Sequence, residues 1–310
     1  NTAIGKGALG ANTTASNNTA LGSSALAANT TSPNNVAVGY AALDAQTTGS
    51  GYNVAVGYNA LTANTSGTEN TASGWNSLGA NTTGNYNTAH GGGSLDGNAT
   101  GDYNTAIGWK ALTAVNTGDV NVGVGASALQ ANTGGTQNTA VGGNAMYANT
   151  TGQDNVAVGH NSLDANTTAS NNTAVGQAAL GANTTGASNT GLGFQALAAN
   201  TTAAGNTSVG SGSMQSTTTG ANNVAVGLYS LYTNTTGAGN VAIGKDALLA
   251  NETASNNVAV GIDALTANTT GSENTVVGRL SLDANTTGSD NVAIGNSALG
   301  ANTTASNNVA

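Results

Sequence analysis

The side chains best suited to acid–base or metal chemistry are few in this sequence and lie far apart. Ser73 and His90 lie at the same place in two successive copies of a repeat, whereas His160, the other histidine, lies several copies further along; a catalytic histidine needs a partner within hydrogen-bond reach. Asp102 and Asp119 also share one place in successive copies, but two carboxylates fall short of the six to eight oxygen ligands that Ca²⁺ takes. We therefore expect no catalytic residue, no cofactor and no metal site. We interpret the acidic residues as solvated turn residues and His90 as a polar substitution in an aliphatic core column.

Aromatic side chains are the other candidates for a binding surface. Four of them each follow a repeated glycine, namely Tyr40, Tyr58, Trp75 and Trp109. The residue at this place varies freely between repeats, which indicates exposure. A ridge of exposed rings suits sugar rings or other flat apolar partners. Alternatively, the rings stack on one another and only stabilise neighbouring repeats.

A 17-residue repeat positions all of these residues. An asparagine opens every copy, from Asn1 to Asn308, and a glycine follows it four residues later; one interval, Asn35 to Asn53, is longer by a single residue. A short, strict period is the signature of a solenoid, in which copies of one unit stack. The sequence therefore predicts an all-β fold, a parallel β-solenoid (β-roll) of about eighteen 17-residue rungs, each rung being one copy of the repeat. Residues 1–310 are expected to form a single array and, because neither end has a divergent capping repeat, a segment of a longer fibre protein.

The rung from Asn53 to Glu69 illustrates the expected local structure. Residues 54–56, Val-Ala-Val, alternate larger and smaller side chains, which is the period-2 pattern of a short strand. Gly57 ends the strand because a residue without Cβ permits a sharp corner. We expect the flanking Val/Thr and Ile/Val/Leu columns to face the leucine column across a thin core, and the alanine column to lie on the opposite face, where small side chains permit close packing of like chains. A second short strand is expected over residues 60–63.

The asparagine column predicts a hydrogen-bonded ladder. Parallel stacking places Asn over Asn at about 4.8 Å, so that each amide pairs with those above and below, as in cross-β ladders. The column has no substitution and includes Asn18, Asn35, Asn53, Asn70, Asn155 and Asn291. A helix is disfavoured because the segment after each glycine is too short, and disorder is disfavoured because the aliphatic residues recur in columns.

A second asparagine begins the Asn-Thr-Thr segments of the repeat, as at Asn29 and Asn81. This pattern matches the acceptor of N-glycosylation. We interpret these segments chiefly as turns, in which Asn and Thr bond to local backbone.

The composition excludes several classes of partner. Charged residues make up 5% of the chain, the formal net charge is −9 and there are four Lys plus Arg residues, which disfavours nucleic acid and anionic membrane surfaces. There is no cysteine, so no disulfide supports the fold. No apolar run is long enough for a membrane span, and no signal peptide is visible.

The segments Asn-Val-Ala-Val-Gly at 53–57, Asn-Thr-Ala-Ile-Gly at 104–108 and Asn-Thr-Thr-Gly at 81–84 carry a resemblance to known repeats. The chain resembles the head repeats of YadA-like trimeric autotransporter adhesins and related repeats of phage and bacterial fibre proteins. The resemblance covers the whole chain, although the repeat is longer than that of the adhesin heads. It implies a left-handed parallel β-roll, three copies of which associate side by side outside a cell or on a virion.

These observations predict a non-enzymatic structural repeat of an extracellular fibre or adhesin, a stiff rod that spaces or presents binding surfaces. The expected partners are further copies of the chain, as a trimer or an end-to-end filament, and a glycan or cell-surface receptor. An ice-binding or carbohydrate-binding solenoid is the alternative. A filament-borne polysaccharide-degrading enzyme is the third hypothesis, disfavoured because neighbouring rungs carry no clustered acids or bases.

Overall fold

The computed structural model describes residues 1–115 and 117–310. The chain divides into two compact units, Asn1–Asp154 and Asn155–Ala310. The described residues form short β-strands joined by turns and contain no helix. The fold is therefore all-β, as the repeat predicts.

Over these ranges, each unit contains nine strands of three residues. The strands of the first unit are β1 (Thr2–Ile4), β2 (Thr19–Leu21), β3 (Val36–Val38), β4 (Val54–Val56), β5 (Thr71–Ser73), β6 (Thr88–His90), β7 (Thr105–Ile107), β8 (Val122–Val124) and β9 (Thr139–Val141). Those of the second unit are β10 (Val156–Val158), β11 (Thr173–Val175), β12 (Thr190–Leu192), β13 (Thr207–Val209), β14 (Val224–Val226), β15 (Val241–Ile243), β16 (Val258–Val260), β17 (Thr275–Val277) and β18 (Val292–Ile294).

Within each unit, consecutive strands pair in parallel and in register, one repeat apart. Thr2 pairs with Thr19 in the first unit, and Val156 pairs with Thr173 in the second. The register is kept even across the one longer interval, since Val36 pairs with Val54. The parallel β-solenoid with one repeat per rung is thus confirmed, and equivalent residues lie above one another.

The interior is built from the alanine, leucine and asparagine columns, which corrects the predicted faces of the strand. In β4, Ala55 is fully buried, whereas Val54 is half-buried and Val56 is 40% exposed. Leu61 is fully buried as predicted. The Val/Thr and Ile/Val/Leu columns therefore face outward, because asparagine and leucine already fill most of the narrow interior and leave space for one small side chain, which is alanine in most rungs and valine at Val276.

The predicted second strand over residues 60–63 is also wrong, since this segment consists of turns. The Asn64 N–H donates to the Leu61 carbonyl (3.2 Å), and Leu61 itself has a φ of 52°. A left-handed conformation costs a non-glycine residue roughly 1–2 kcal/mol. It turns the chain sharply enough to bury one leucine per rung, which contributes about 1.5–3 kcal/mol in return.

The first asparagine column forms a ladder in which the backbone takes part. The Asn35 N–H donates to Asn18 Oδ1 (2.8 Å), and the Asn70 N–H donates to Asn53 Oδ1 (3.0 Å). The same bonds join Asn172 to Asn155 (2.9 Å) and Asn291 to Asn274 (3.1 Å). Most of the side-chain amides also donate to a carbonyl fourteen residues later, near the end of the same rung, as Asn70 Nδ2 does to Gly84 (2.8 Å). Alanine could supply neither the acceptor nor the donor, which explains the absence of substitutions.

A second asparagine ladder, not predicted from the sequence, runs through the Asn-Thr-Thr segments. Asn81 Nδ2 donates to Asn64 Oδ1 (2.9 Å) and to the Gly84 carbonyl (3.1 Å), and both asparagines are fully buried. This column has substitutions. Gln46 occupies it in the rung with the additional residue and accepts a hydrogen bond from Asn64 Nδ2. Val115 and Thr217 occupy it elsewhere, both fully buried.

The two substitutions that lack a side-chain amide, Val115 and Thr217, leave hydrogen-bonding groups in the second ladder unsatisfied. Asn98 and Asn200 lie one rung before Val115 and Thr217, and their buried Oδ1 atoms have no hydrogen-bond partner among the described residues. The buried Thr217 Oγ1 has none either within the same ranges. A buried polar atom without a partner costs about 1–3 kcal/mol, so these substitutions are weak places in the ladder.

Candidate functional site

A glycine corner displays the variable side chains of each rung. Gly57 has a φ of 144°, and a Cβ built on it would lie 2.4 Å from the Gly74 carbonyl oxygen. Only glycine lets neighbouring rungs approach this closely. The residue after the glycine therefore lies on an exposed corner beside the outward face of the strand.

The four aromatic residues predicted to form a ridge lie on this corner. The exposed fractions of Tyr40, Tyr58, Trp75 and Trp109 are 53%, 52%, 55% and 57%. The Tyr40 and Tyr58 rings are stacked, with centroids 5.3 Å apart and planes inclined by 13°. Stacking stabilises neighbouring rungs, and the exposed ring faces remain available to a partner; both interpretations of the ridge fit this geometry.

A gap interrupts the ridge at Gly92. A Cβ on Gly92 would lie 3.7 Å from Trp109 Cδ1 and 3.9 Å from Trp75 Cε3. Carbon atoms in contact are about 3.5–4.0 Å apart, so one layer of atoms fits between the two indole side chains. The Lys110 Nζ lies 4.6 Å from the centroid of the Trp109 ring, a distance at which a cation is attracted to a ring face.

A second group of exposed aromatic residues lies on the other edge of the same strands. Tyr52, Tyr86 and Tyr103 each precede the column asparagine, and the Tyr86 and Tyr103 rings are stacked at 4.7 Å. The Glu69 carboxylate, and then Tyr103, raise the pKa of the Tyr86 hydroxyl. Sequence reasoning missed this group, although comparing the residues just before each column asparagine would have found it. Aromatic residues thus border both edges of the outward strand face of β4 to β7.

His90 and Ser73 do not lie in the core, contrary to the prediction. Their column faces outward with the rest of the strand face, so that His90 is exposed and Ser73 is half-buried. A polar residue on this face keeps its hydration, and no compensating contact in the core is required. On the strand face, His90 pairs in register with Ser73 of β5 and with Ile107 of β7, and both of these residues are at least partly exposed.

The acidic residues serve the turns. Asp102 Oδ1 accepts a hydrogen bond from the Asn85 N–H (2.6 Å), and Asp119 Oδ1 accepts one from the Asp102 N–H (2.8 Å). The two carboxylates thus extend a ladder of turn hydrogen bonds. Burial raises the pKa of the Asp96 carboxyl and, as the largest influence, that of Asp164.

The asparagines of the Asn-Thr-Thr segments are poor acceptors for glycosylation in the folded chain. Asn29, Asn81, Asn149, Asn166 and Asn183 are all fully buried. The amide nitrogen that a glycan would modify donates instead to other groups, as Asn183 Nδ2 does to Asn166 Oδ1 (3.1 Å) and to the Gly186 carbonyl (3.0 Å).

The second unit contains a cleft that the sequence did not reveal. It has a volume of about 560 Å³ and is lined by Phe194, Gln195, Ser211, Gly212, Gln215, Tyr229, Tyr232, Thr233 and Leu249. The Tyr229 and Tyr232 rings meet edge to face, with centroids 5.3 Å apart. Phe194 follows a corner glycine as the predicted ridge residues do, but the tyrosines occupy other positions of the rung, and their proximity to Phe194 depends on the stacking.

Metal clusters and membrane-spanning helices do not occur in the part of the chain that the structure describes. In residues 1–115 and 117–310, His, Cys, Asp and Glu nowhere gather in a group of three that could hold a metal ion. The same ranges hold no helix that could span a bilayer. No protein-family model matches the sequence, and no curated protein matches it.

Proposed function

We propose that the chain is a structural repeat of an extracellular fibre or adhesin, related to the YadA-like head repeats, that spaces or presents binding surfaces. The separation of constant and variable positions carries this proposal. The buried Asn, Ala and Leu columns are nearly uniform, whereas the exposed corner after each glycine ranges from Lys6 to Tyr58 and Trp75. Such a scaffold keeps its backbone while its exposed side chains change, as a presenting surface requires.

The outward strand face supports self-association. Along β14 and β15 it exposes Val226 (36%) and Ile243 (39%), and the one column to which both belong is aliphatic in nearly every rung. Contiguous apolar patches larger than a few hundred Å² are rare on monomeric proteins. We propose that copies of the chain meet on this face, as a trimer or a filament. The alanine column, expected to mediate this contact, lies inside and takes no part.

Light scattering on the isolated chain tests the assembly. A trimer or an open-ended polymer is expected, and Ile243→Glu should reduce the mass because a charge on the apolar face opposes its burial. Thr236→Glu is the matched control, since Thr236 is exposed on a turn and not on the strand face. A monomeric wild-type chain at high concentration would contradict the proposal.

Antibody labelling of intact cells or virions of the source organism tests the extracellular role. An antibody raised against the folded chain should label the outer surface without permeabilisation. Labelling that requires permeabilisation would refute display outside the cell or on the virion.

The ridge of Tyr40, Tyr58, Trp75 and Trp109 is proposed as one of the presented surfaces. If a glycan or cell-surface receptor binds there, the Trp75→Ala and Trp109→Ala double variant should bind target cells at least about tenfold more weakly, which corresponds to about 1.4 kcal/mol. Tyr147→Ala removes an exposed ring elsewhere on the first unit and should leave binding unchanged. Equal loss in both variants would assign the ridge a stabilising role only.

A further inference from the structure

The cleft of the second unit combines ring faces with uncharged hydrogen-bonding groups. Phe194 and Tyr229 are 49% and 42% exposed, so each offers part of its ring to solvent. Around the rings lie the Gln195 and Gln215 amides and the Ser211 and Thr233 hydroxyls. The lining contains no charged residue, which disfavours a charged ligand.

Two small residues open the space between the aromatic walls. Ser211 and Gly212 lie on the rung between those of Phe194 and Tyr229. Backbone hydrogen bonds hold the three rungs in place, since the Gly212 N–H donates to the Phe194 carbonyl (2.9 Å) and the Tyr229 N–H donates to the Ser211 carbonyl (3.2 Å). A Cβ on Gly212 would lie 2.6 Å from Tyr229 Cδ1. The Tyr229 ring therefore packs directly over Gly212, in a position that any larger residue would prevent.

The two glutamines form a bridge beside the rings. Gln215 Nε2 donates to Gln195 Oε1 (3.1 Å), which uses one N–H and one acceptor site of the pair. A glutamine amide offers two N–H donors and an oxygen with two lone pairs. The bridge thus holds the side chains in place and retains both donors and acceptors for a ligand.

We propose that this cleft binds a neutral oligosaccharide, with a sugar ring seated against Phe194 and Tyr229. A sugar ring has an apolar C–H face that packs on aromatic rings, and its hydroxyls both donate and accept, as amides and hydroxyls require. A wholly apolar ring would leave these polar groups without partners. The volume lies within the roughly 300–1,000 Å³ typical of small-molecule sites.

The dimensions of the cleft favour a chain of sugars over a single one. Its lining comes from four successive rungs, from Phe194 to Leu249, and three rung spacings of about 4.8 Å extend over about 14 Å. This is longer than one six-membered ring, so a hexasaccharide should bind more tightly than its monosaccharide. The cleft is a different site from the ridge of the first unit, and sugar binding in the cleft does not depend on the proposed role of the chain in a fibre or adhesin.

Titration by NMR with cellohexaose, maltohexaose and chitohexaose, each against the intact chain, tests the proposal. At least one of these sugars should shift the amide signals of Ser211 and Gly212 in a saturable manner at millimolar concentration. Phe194→Ala and Tyr229→Ala should each weaken binding at least about tenfold, whereas Phe194→Tyr should retain it. Tyr147→Ala, at the same place in its rung as Tyr232, is the control that should bind normally.

The Ser211→Trp variant distinguishes a loss of binding in the cleft from a loss of folding. Tryptophan is accepted at this place of the rung in Trp75 and Trp109, so the variant should fold, with an unchanged melting temperature, while its ring fills the cleft and abolishes binding. The proposal is overturned if none of the three sugars shifts these signals, if binding survives both alanine variants, or if indole binds more tightly than the sugars.

Discussion

Replacing Thr217 with asparagine should stabilise the second unit, because it would restore the second asparagine ladder where it is interrupted. In the neighbouring rungs Asn200 and Asn234 occupy this position, and Asn234 Nδ2 donates to the Gly237 carbonyl (3.0 Å). An asparagine at 217 is similar in volume to threonine. Its amide could donate to Asn200 Oδ1 and to the Gly220 carbonyl, and its oxygen could accept from Asn234.

The expected gain follows from the buried groups that now lack partners. Asn200 Oδ1 and Thr217 Oγ1 are both buried without a hydrogen bond to any described residue, and each such group costs about 1–3 kcal/mol. Satisfying the first and removing the second should raise the free energy of unfolding by about 2–4 kcal/mol, which for a unit of this size raises Tm by several degrees. The gain should be local, because a solenoid rung contacts only its neighbours.

Thermal melting followed by circular dichroism, together with amide hydrogen exchange, measures this effect. Amides between Asn200 and Asn234 should exchange at least about tenfold more slowly in Thr217→Asn, a factor that corresponds to about 1.4 kcal/mol. Thr219→Asn makes the same chemical change on an exposed residue and should be neutral. Asn183→Thr, which creates the same interruption elsewhere, should destabilise by a similar amount. If Thr217→Asn is neutral or destabilising, unsatisfied ladder groups do not limit the stability of these rungs.

Three other changes test the interior and its electrostatics. Asn240→Ala should destabilise the fold by about 3–5 kcal/mol, because it removes the acceptor of the Asn257 N–H (3.0 Å) and the amide that donates to the Ala254 carbonyl. In thermal melts, the control variant Asn296→Ala, at an exposed residue, should have little effect. Equal shifts in Tm would exclude a role of Asn240 in the ladder. Ala242→Leu should cost about 1–3 kcal/mol by overpacking, whereas outward-facing Val241→Leu should melt like the wild type; the opposite order would restore the predicted face assignment. Burial raises the pKa of the Asp96 carboxyl above its unfolded value, so the contribution of Asp96 to stability is complete below about pH 4 and is lost as pH rises through the folded pKa. Asp96→Asn should therefore raise Tm at pH 7 and not at pH 3. A gain in Tm that is equal at both pH values would contradict the burial effect.

Much of the fold could be predicted from the sequence because the repeat constrains stacking directly. A strict period with an unchanging asparagine places like over like, and parallel in-register pairing follows, as Thr2 and Thr19 show. The buried asparagine ladder and the corner at Gly57 follow from the same columns. These features depend on contacts between residues that lie one repeat apart, so the spacing of residue types in the sequence is enough to predict them.

Which side of the strand faces inward was decided only by the tertiary structure. The alternation in β4 separates Ala55 from Val54 and Val56 but is symmetric between the two faces. The outcome depends on the cross-section of the rung, in which two asparagines and one large apolar residue such as Leu61 leave room for a small side chain, which is alanine in most rungs and valine at Val276. A local pattern cannot report that shared volume, because the residues that compete for it belong to different sides of the rung.

The binding surfaces divide in the same way. Tyr40, Tyr58, Trp75 and Trp109 recur at one place in the repeat, so the sequence alone brought them together. Phe194, Tyr229 and Tyr232 occupy three different places in the rung, and they share one cleft because the Tyr229 ring packs over Gly212, where no side chain intervenes. The repeat thus determined the scaffold, whereas the paths of individual side chains between stacked rungs determined the cleft.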